Sequence, residues 1–197
     1  LPEWYLRPDA DVPHYAQTSK ASSAHDWIGP LTLYTTLNSP IGELLLTSDG
    51  AALTGLYMPD HAHGPEIGAD WVRDDGAELF ASAAEQLGEY FGGGRRLFSL
   101  PLAPVGTEFQ RRVWAELRRL PYGATVTYGE LARRLGDPGA SRAVGLANGR
   151  NPISIIVPCH RVVGAGGSLT GYAGGLDRKR FLLELEGGCL PGLSLTP

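Results

Sequence analysis

Twice in the second half of this 197-residue chain a threonine stands three residues ahead of a glutamine or glutamate, in Thr107-Glu108-Phe109-Gln110 and Thr127-Tyr128-Gly129-Glu130. In such a capping box the hydroxyl accepts from the backbone N–H three residues on. The longer side chain reaches back to the threonine N–H, so two free donors of a helix start are satisfied together. The first box predicts a helix through Leu120 with Phe109, Val113, Trp114 and Leu117 as its apolar stripe, ended by Pro121-Tyr122-Gly123. The second predicts a short helix to Leu135. Gly136-Asp137-Pro138-Gly139 then turns the chain into another short helix, Ala140–Asn148, which ends at Gly149. Two short helices across a tight glycine-containing turn make a candidate helix-turn-helix, a pattern that small helical domains also contain by chance.

The first half reads differently. Leu31–Leu37, Gly42–Ser48 and Ala51–Tyr57 are β-rich runs separated by Asn38-Ser39-Pro40 and by Asp49-Gly50, the latter a hairpin signal. Asp60–Asp75 is a polar loop. Ala77–Phe91 then places Leu79, Phe80, Ala83, Leu87, Tyr90 and Phe91 at helical spacing before Gly92-Gly93-Gly94. A short apolar stretch leads to Pro104, where a domain boundary is expected. The expected fold is α+β: a small N-terminal antiparallel sheet with one helix over residues 31–104, then a mainly helical unit over 105–187 that carries the helix-turn-helix. Residues 1–30 lack periodicity and read as an arm, with Trp4 or Trp27 docked on the body; 188–197 read as a tail.

Charge separates the same two halves. Residues 1–105 carry 5 basic and 14 acidic side chains, whereas residues 106–197 carry 12 and 7, so a net of −9 faces a net of +5. Any electrostatic footprint for phosphate belongs to the second half, although an arginine-rich soluble surface has the same composition. No apolar run approaches membrane-spanning length and the N-terminus lacks the apolar centre of a secretory signal, so a cytoplasmic protein is expected. Two cysteines, Cys159 and Cys189, outside any Cys-x-x-Cys pair, favour free thiols. His61 and His63 form a lone His-x-His in a Gly- and Pro-rich stretch, read as a solvated loop rather than a metal site.

The chemistry gathers at one place. The apolar run from Ile153 to Val157 is followed at once by Pro158-Cys159-His160-Arg161. Free cysteine is commonly buried and inert, and local composition leaves that reading open. Against it stand an adjacent histidine, a nearby positive charge and the glycine-rich loop 164–176, which can approach a flat ligand closely.

Pro158-Cys159-His160-Arg161-Val162 resembles the active-site signature of the O6-alkylguanine-DNA alkyltransferases, the methylated-DNA–protein-cysteine methyltransferases. Phe109-Gln110-Arg111-Arg112-Val113-Trp114, Pro121-Tyr122-Gly123, Thr127-Tyr128-Gly129-Glu130-Leu131-Ala132, Arg142-Ala143-Val144-Gly145, Asn151-Pro152, Leu169-Thr170-Gly171-Tyr172 and Gly174-Gly175-Leu176 look like the family's pattern in order. The strong resemblance covers roughly 106–187, and Ser39-Pro40-Ile41-Gly42 extends a weaker one to about residue 31.

The resemblance implies a single-use protein: a cysteine thiolate displaces guanine from the alkyl carbon, forms a stable thioether and is not regenerated, with no cofactor. It implies Cys159 as nucleophile, His160 and Glu186 as its proton relay through a water, and Tyr128 as donor to guanine N3. Asn151 is implied as the hinge beneath the loop. Val162, Tyr172 and Ala173 are implied around the base and alkyl group, with Trp114 and Lys179 in the same substrate set. Arg142 is implied to fill the stack once the damaged base has rotated out. Ser141, Ala143 and Gly145 lie close to the minor groove in that picture, with Thr127 and Arg150 also on DNA. Arg111, Arg112, Arg118, Arg119, Arg133 and Arg134 are further candidates for phosphate.

Some relatives hold zinc with N-terminal cysteines; this chain has none before Cys159, so no metal is expected. The expected partner is duplex DNA containing O6-alkylguanine, bound by a monomer. Two other readings are a lesion sensor without chemistry, which Cys159 argues against, and a relative specialised for a bulky adduct or a small-molecule alkyl donor.

Overall fold

The computed structural model describes residues 31–187; the expectations for the arm, the tail and Cys189 lie outside them. Three antiparallel strands, β1 (Leu33–Leu37), β2 (Leu44–Ser48) and β3 (Leu53–Tyr57), form a meander. At the second turn Asp49 Oδ1 accepts from the N–H groups of Ala51 and Ala52, both at 2.9 Å, while Gly50 takes φ +95°. Inside the stretch expected to be a loop, Val72–Arg73 forms a fourth strand, β4, parallel to Leu33 and Tyr34, giving the order β3-β2-β1-β4. Two residues are too few to show a period, so only the neighbouring strand reveals them.

Helix α1 (Glu78–Phe91) buries Phe80, Ala83, Leu87, Tyr90 and Phe91. They join Leu44, Leu46, Leu53 and Leu56 in a core that continues without a break into the second half. Burying each such large apolar side chain is worth about 1.5–3 kcal/mol.

The helical half begins with α2 (Glu108–Leu117), whose capping box is complete: Gln110 N–H donates to Thr107 Oγ1 and Thr107 N–H to Gln110 Oε1. It ends three residues earlier than the apolar stripe suggested. The second box is half made. Thr127 Oγ1 accepts from Glu130 N–H at 3.1 Å, but the Glu130 carboxylate turns to Arg134 at 2.8 Å. Helices α3 (Tyr128–Arg134) and α4 (Ser141–Gly149) flank a 3-10 turn, Pro138–Ala140, whose Asp137 side chain accepts from Gly139 N–H. Helix α5 (Leu176–Leu185) closes the unit.

Two short pairings position the site. Val126–Thr127 (β5) lies parallel to Val162–Val163 (β6), joining the start of α3 to the strand after the cysteine. Strand β3, at the sheet edge, is covered from the second half: Leu56 N–H donates to Pro152 O at 2.8 Å and Ser154 N–H to Leu56 O at 3.0 Å. An edge that would otherwise offer free backbone groups is thereby sealed. No helix of the described residues is long and apolar enough to cross a membrane.

Candidate active site and nucleic-acid interface

The apolar run before Cys159 forms a knot of tight turns, with Ile156 N–H bonded to Ser154 O and Val157 N–H to Ile153 O. Ile155 has φ +70°, a conformation unfavourable for a β-branched residue and found where surrounding structure dictates it. Asn151 ties the knot. Its Oδ1 accepts from Ile153 N–H at 3.1 Å, and its Nδ2 reaches Val157 O at 2.8 Å and Cys159 Sγ at 3.1 Å. Cys159 opens a 3-10 turn, Cys159–Arg161, and is 4% exposed. Burial pushes its thiol pKa up, while the Asn151 donor, the Lys179 charge and the Tyr172 hydroxyl pull the other way. It rests as a thiol.

Beside it lies a buried polar cluster. Glu186 Oε1 accepts from Tyr90 Oη at 2.8 Å and sits 2.9 Å from His160 Nε2. Arg161 clamps both oxygens at 2.8 Å, and Gly123 N–H adds a donor to Oε2 at 3.2 Å. Burial alone would raise the Glu186 pKa, but the hydrogen bonds from His160 and Arg161 outweigh it and hold the carboxyl far below its usual range. Burial also keeps His160 below the ordinary histidine value, hence neutral. A carboxylate only accepts, so His160 Nε2 must carry the hydrogen and Nδ1 must hold the lone pair. Nδ1 is buried with no protein partner. The arrangement presents a fixed neutral base one residue from the thiol.

The opposite flank is built from the glycine-rich loop and α5. Lys179, fully buried, donates from Nζ to Val162 O at 2.6 Å and to Thr170 O at 3.0 Å, and lies 5.9 Å from the Tyr172 ring centroid. Burial lowers its pKa to about 8, with the neighbouring thiolate form of Cys159 opposing. The Tyr172 hydroxyl is buried close enough to the sulfur to favour the thiolate, yet completes no hydrogen bond. Its own pKa is driven well up by burial. Tyr128 Oη reaches Thr170 O and Gly171 O at 3.3 and 3.4 Å, and the Ala173 carbonyl accepts from Ala62 N–H at 2.9 Å.

On α4, Arg142, Ala143 and Leu146 are exposed, with Arg150 just past its end. Ser141 and Gly145 are half-buried, and a Cβ at Gly145 would lie 3.7 Å from the Tyr128 ring. Tyr128 therefore packs on this helix beside Gly145, with ordinary contact distance left for a Cβ there. The Thr127 hydroxyl is engaged as the cap of α3.

Asn151 thus contacts the Cys159 sulfur, Lys179 and the Tyr172 hydroxyl act on it, Lys179 also holds the Val162 carbonyl, and Glu186 holds the adjacent His160. Trp114 is a correction. Its indole is 2% exposed, lies against Gly106 and donates to Ala147 O at 2.9 Å, so it locks α2 to α4 instead of lining the substrate pocket. Arg161 is another: its charge is taken up by Glu186 and its Nη1 by Leu120 O, so it serves the carboxylate and not the thiolate. Tyr90, Gly123 and Asn148, whose Nδ2 reaches Cys159 O at 3.3 Å, were missed. Tyr90 looked like any core aromatic of α1, and nothing local connects it to a carboxylate 96 residues away.

The model for the ribonuclease-like domain of 6-O-methylguanine DNA methyltransferase matches residues 32–104, and that for the DNA binding domain of the same protein matches residues 108–188. The chain is 53% identical over 156 residues to a methylated-DNA–protein-cysteine methyltransferase of Methanosarcina acetivorans, covering 79% of this chain and 99% of that protein. One from Mycobacterium tuberculosis is 54% identical over 153 residues, covering 78% and 91%. The crystal structure of Mycobacterium tuberculosis OGT in complex with DNA superposes with a TM-score of 0.73 at 53% identity, over 78% of this chain and 92% of that one. An O6-methylguanine-DNA methyltransferase from Pyrococcus kodakaraensis gives 0.55 at 27%, over 80% and 99%.

Proposed function

The chain belongs to the 6-O-methylguanine DNA methyltransferase family, and from that premise we infer that Cys159 is the acceptor and O6-alkylguanine its substrate. The protein binds DNA and repairs it by moving an alkyl group to a cysteine of its own. The observation that carries the assignment is the neutral His160 base, oriented by Glu186, next to a buried thiol that Asn151 holds at 3.1 Å.

The thiol proton passes through water to His160 Nδ1, which generates the thiolate only when it is needed. Sγ attacks the carbon bonded to guanine O6. The S–C bond forms, the C–O bond breaks, and the electron pair stays on the guanine. A proton returned to the base leaves neutral guanine and a thioether. Tyr128, donating to guanine N3, offsets the charge that develops on the leaving base. The damaged nucleotide reaches the pocket by rotating out of the duplex, with Arg142 filling the gap and the small residues of α4 against the minor groove. Arg150 and the arginines of α2 and α3 contact phosphate. The domains are residues 31–104 and 105–187. The protein works as a monomer in the cytoplasm, where a reduced thiol survives.

The test uses duplex DNA containing O6-methylguanine, intact mass and peptide mapping. One methyl per protein on Cys159 is expected, and none in Cys159→Ala, which should still bind the lesion. Methylation of any other residue, or tight binding with no gain in mass, overturns the assignment.

A further inference from the structure

Residues 172–174, which begin with the tyrosine beside Cys159 and are proposed above to border its substrate, rest on the sheet half of the molecule. Arg178, in the first turn of α5, donates from Nε to Ile41 O at 2.9 Å. Its Nη1 donates to Pro59 O at 3.0 Å and to Gly174 O at 2.9 Å. The three carbonyls come from three separate segments: the β1–β2 turn, the loop after β3 and the pocket wall itself. A second tie lies beside it, from Ala62 N–H to Ala173 O at 2.9 Å. Packing adds a third. Met58 and Gly174 are both buried, and a Cβ on Gly174 would stand 2.5 Å from Met58 Sδ and 3.1 Å from Tyr172 Cε1. Gly42 holds the far side at φ +105°, where a Cβ would strike Pro59 Cγ at 2.7 Å. Gly42 and Pro59 thus pack directly on each other beside the acceptors Ile41 O and Pro59 O.

We propose that Arg178 is a positioning residue that pins the pocket wall to the N-terminal sheet and so sets which alkyl groups Cys159 accepts. A planar guanidinium can span three carbonyls in fixed directions; a lysine ammonium on a flexible stem cannot. The half of the molecule without the nucleophile thereby determines the width of the space beside it. With the latch cut, the wall carrying Tyr172 moves outward. A methyl group then loses its close fit, and a larger group meets less obstruction. The inference rests on the assignment of Cys159 and its pocket made above.

The experiment compares single-turnover rates on O6-methylguanine in duplex DNA and on free O6-benzylguanine, with the modified residue mapped in each case. Arg178→Met should slow methyl transfer by about tenfold, the scale expected when reacting atoms are displaced by a fraction of an ångström. Benzyl transfer should be unchanged or faster, and Arg178→Lys should lie between. Gly174→Ala, which pushes the wall off Met58, should shift the ratio the same way. Met58→Ala added to it should restore part of the methyl transfer, the contact of the new Cβ with Tyr172 Cε1 remaining, and keeps the test alive if Arg178→Met fails to fold. Parallel losses on both substrates, or no rescue by the second substitution, overturn the latch. Failure of the unaltered protein to methylate Cys159 would instead sink the underlying assignment.

Discussion

The two flanks of Cys159 are built on opposite plans. On the relay flank the Glu186 carboxylate receives Tyr90, His160, Arg161 and Gly123, all buried or half-buried. On the pocket flank the Tyr172 hydroxyl is buried without completing a hydrogen bond, and Lys179 occupies two loop carbonyls. A saturated carboxylate holds its charge and orients His160 whether or not substrate is present, and among these groups it leaves only His160 Nδ1 without a partner. An unsatisfied one stores binding capacity for a polar ligand at a cost to stability. The difference teaches that His160 is oriented in advance, whereas the Tyr172 hydroxyl is left without a completed partner.

Removing the centre of the saturated flank should have the largest effect. Glu186→Ala strands the buried Arg161 guanidinium and should cost about 3–5 kcal/mol in urea unfolding. It should also slow methyl transfer, since His160 loses the partner that fixes its tautomer. A variant as stable as the parent would show that the cluster is not the structural centre described here.

Acid should dismantle the same flank next. The folded protein holds Glu186 below its ordinary value of 4.5, so the stability it contributes is complete above that pH and lost as pH falls through the folded value. His160, held below 6.5 by burial, favours the unfolded state once it must be protonated. The thermal midpoint should therefore begin to drop below about pH 6.5 and fall faster below about 4.5. The pocket flank answers in alkali instead. Lys179 is lowered from 10.5 to about 8, so its own contribution to stability rises as pH climbs between those values, opposed above pH 9 by the raised Cys159 thiol, and Lys179→Met should remove the rise. A melting curve flat in both ranges would break the contrast.

The smallest effect separates the flanks most sharply. Tyr172→Phe deletes a hydroxyl that makes no full hydrogen bond, so its melting temperature should stay level or rise. Single-turnover methyl transfer should nevertheless slow by about tenfold, since that hydroxyl helps the sulfur ionise. A loss of stability equal to the loss of rate would mark Tyr172 as part of the core.

Much of this was legible before any coordinates. The Asp49-Gly50 turn, the α1 stripe and the two threonine caps act over three to five residues, a range within which sequence spacing translates directly into geometry. The Pro158-Cys159-His160-Arg161 run, read with its flanking motifs, pointed to the place that holds a buried thiol next to a buried histidine. Glu186 was legible only through resemblance, because a glutamate at a helix end reads as solvated until Tyr90 and Arg161 close over it. Strand β4, the β5–β6 pair and the docking of Pro152–Ser154 on β3 escaped for a related reason. Two or three residues carry no period, and pairing is a property of the partner strand.

The sequence by itself determined the local vocabulary: where helices start, where the chain turns, and which short run holds a cysteine beside a histidine. Tertiary structure alone decided what each polar group meets. It moved Trp114 from the pocket to the seam between α2 and α4 and gave the Arg161 charge to Glu186. It also brought three distant carbonyls to Arg178. Spacing along a chain sets conformation, but a side chain's chemistry depends on which groups share its burial, and those come from anywhere in the fold.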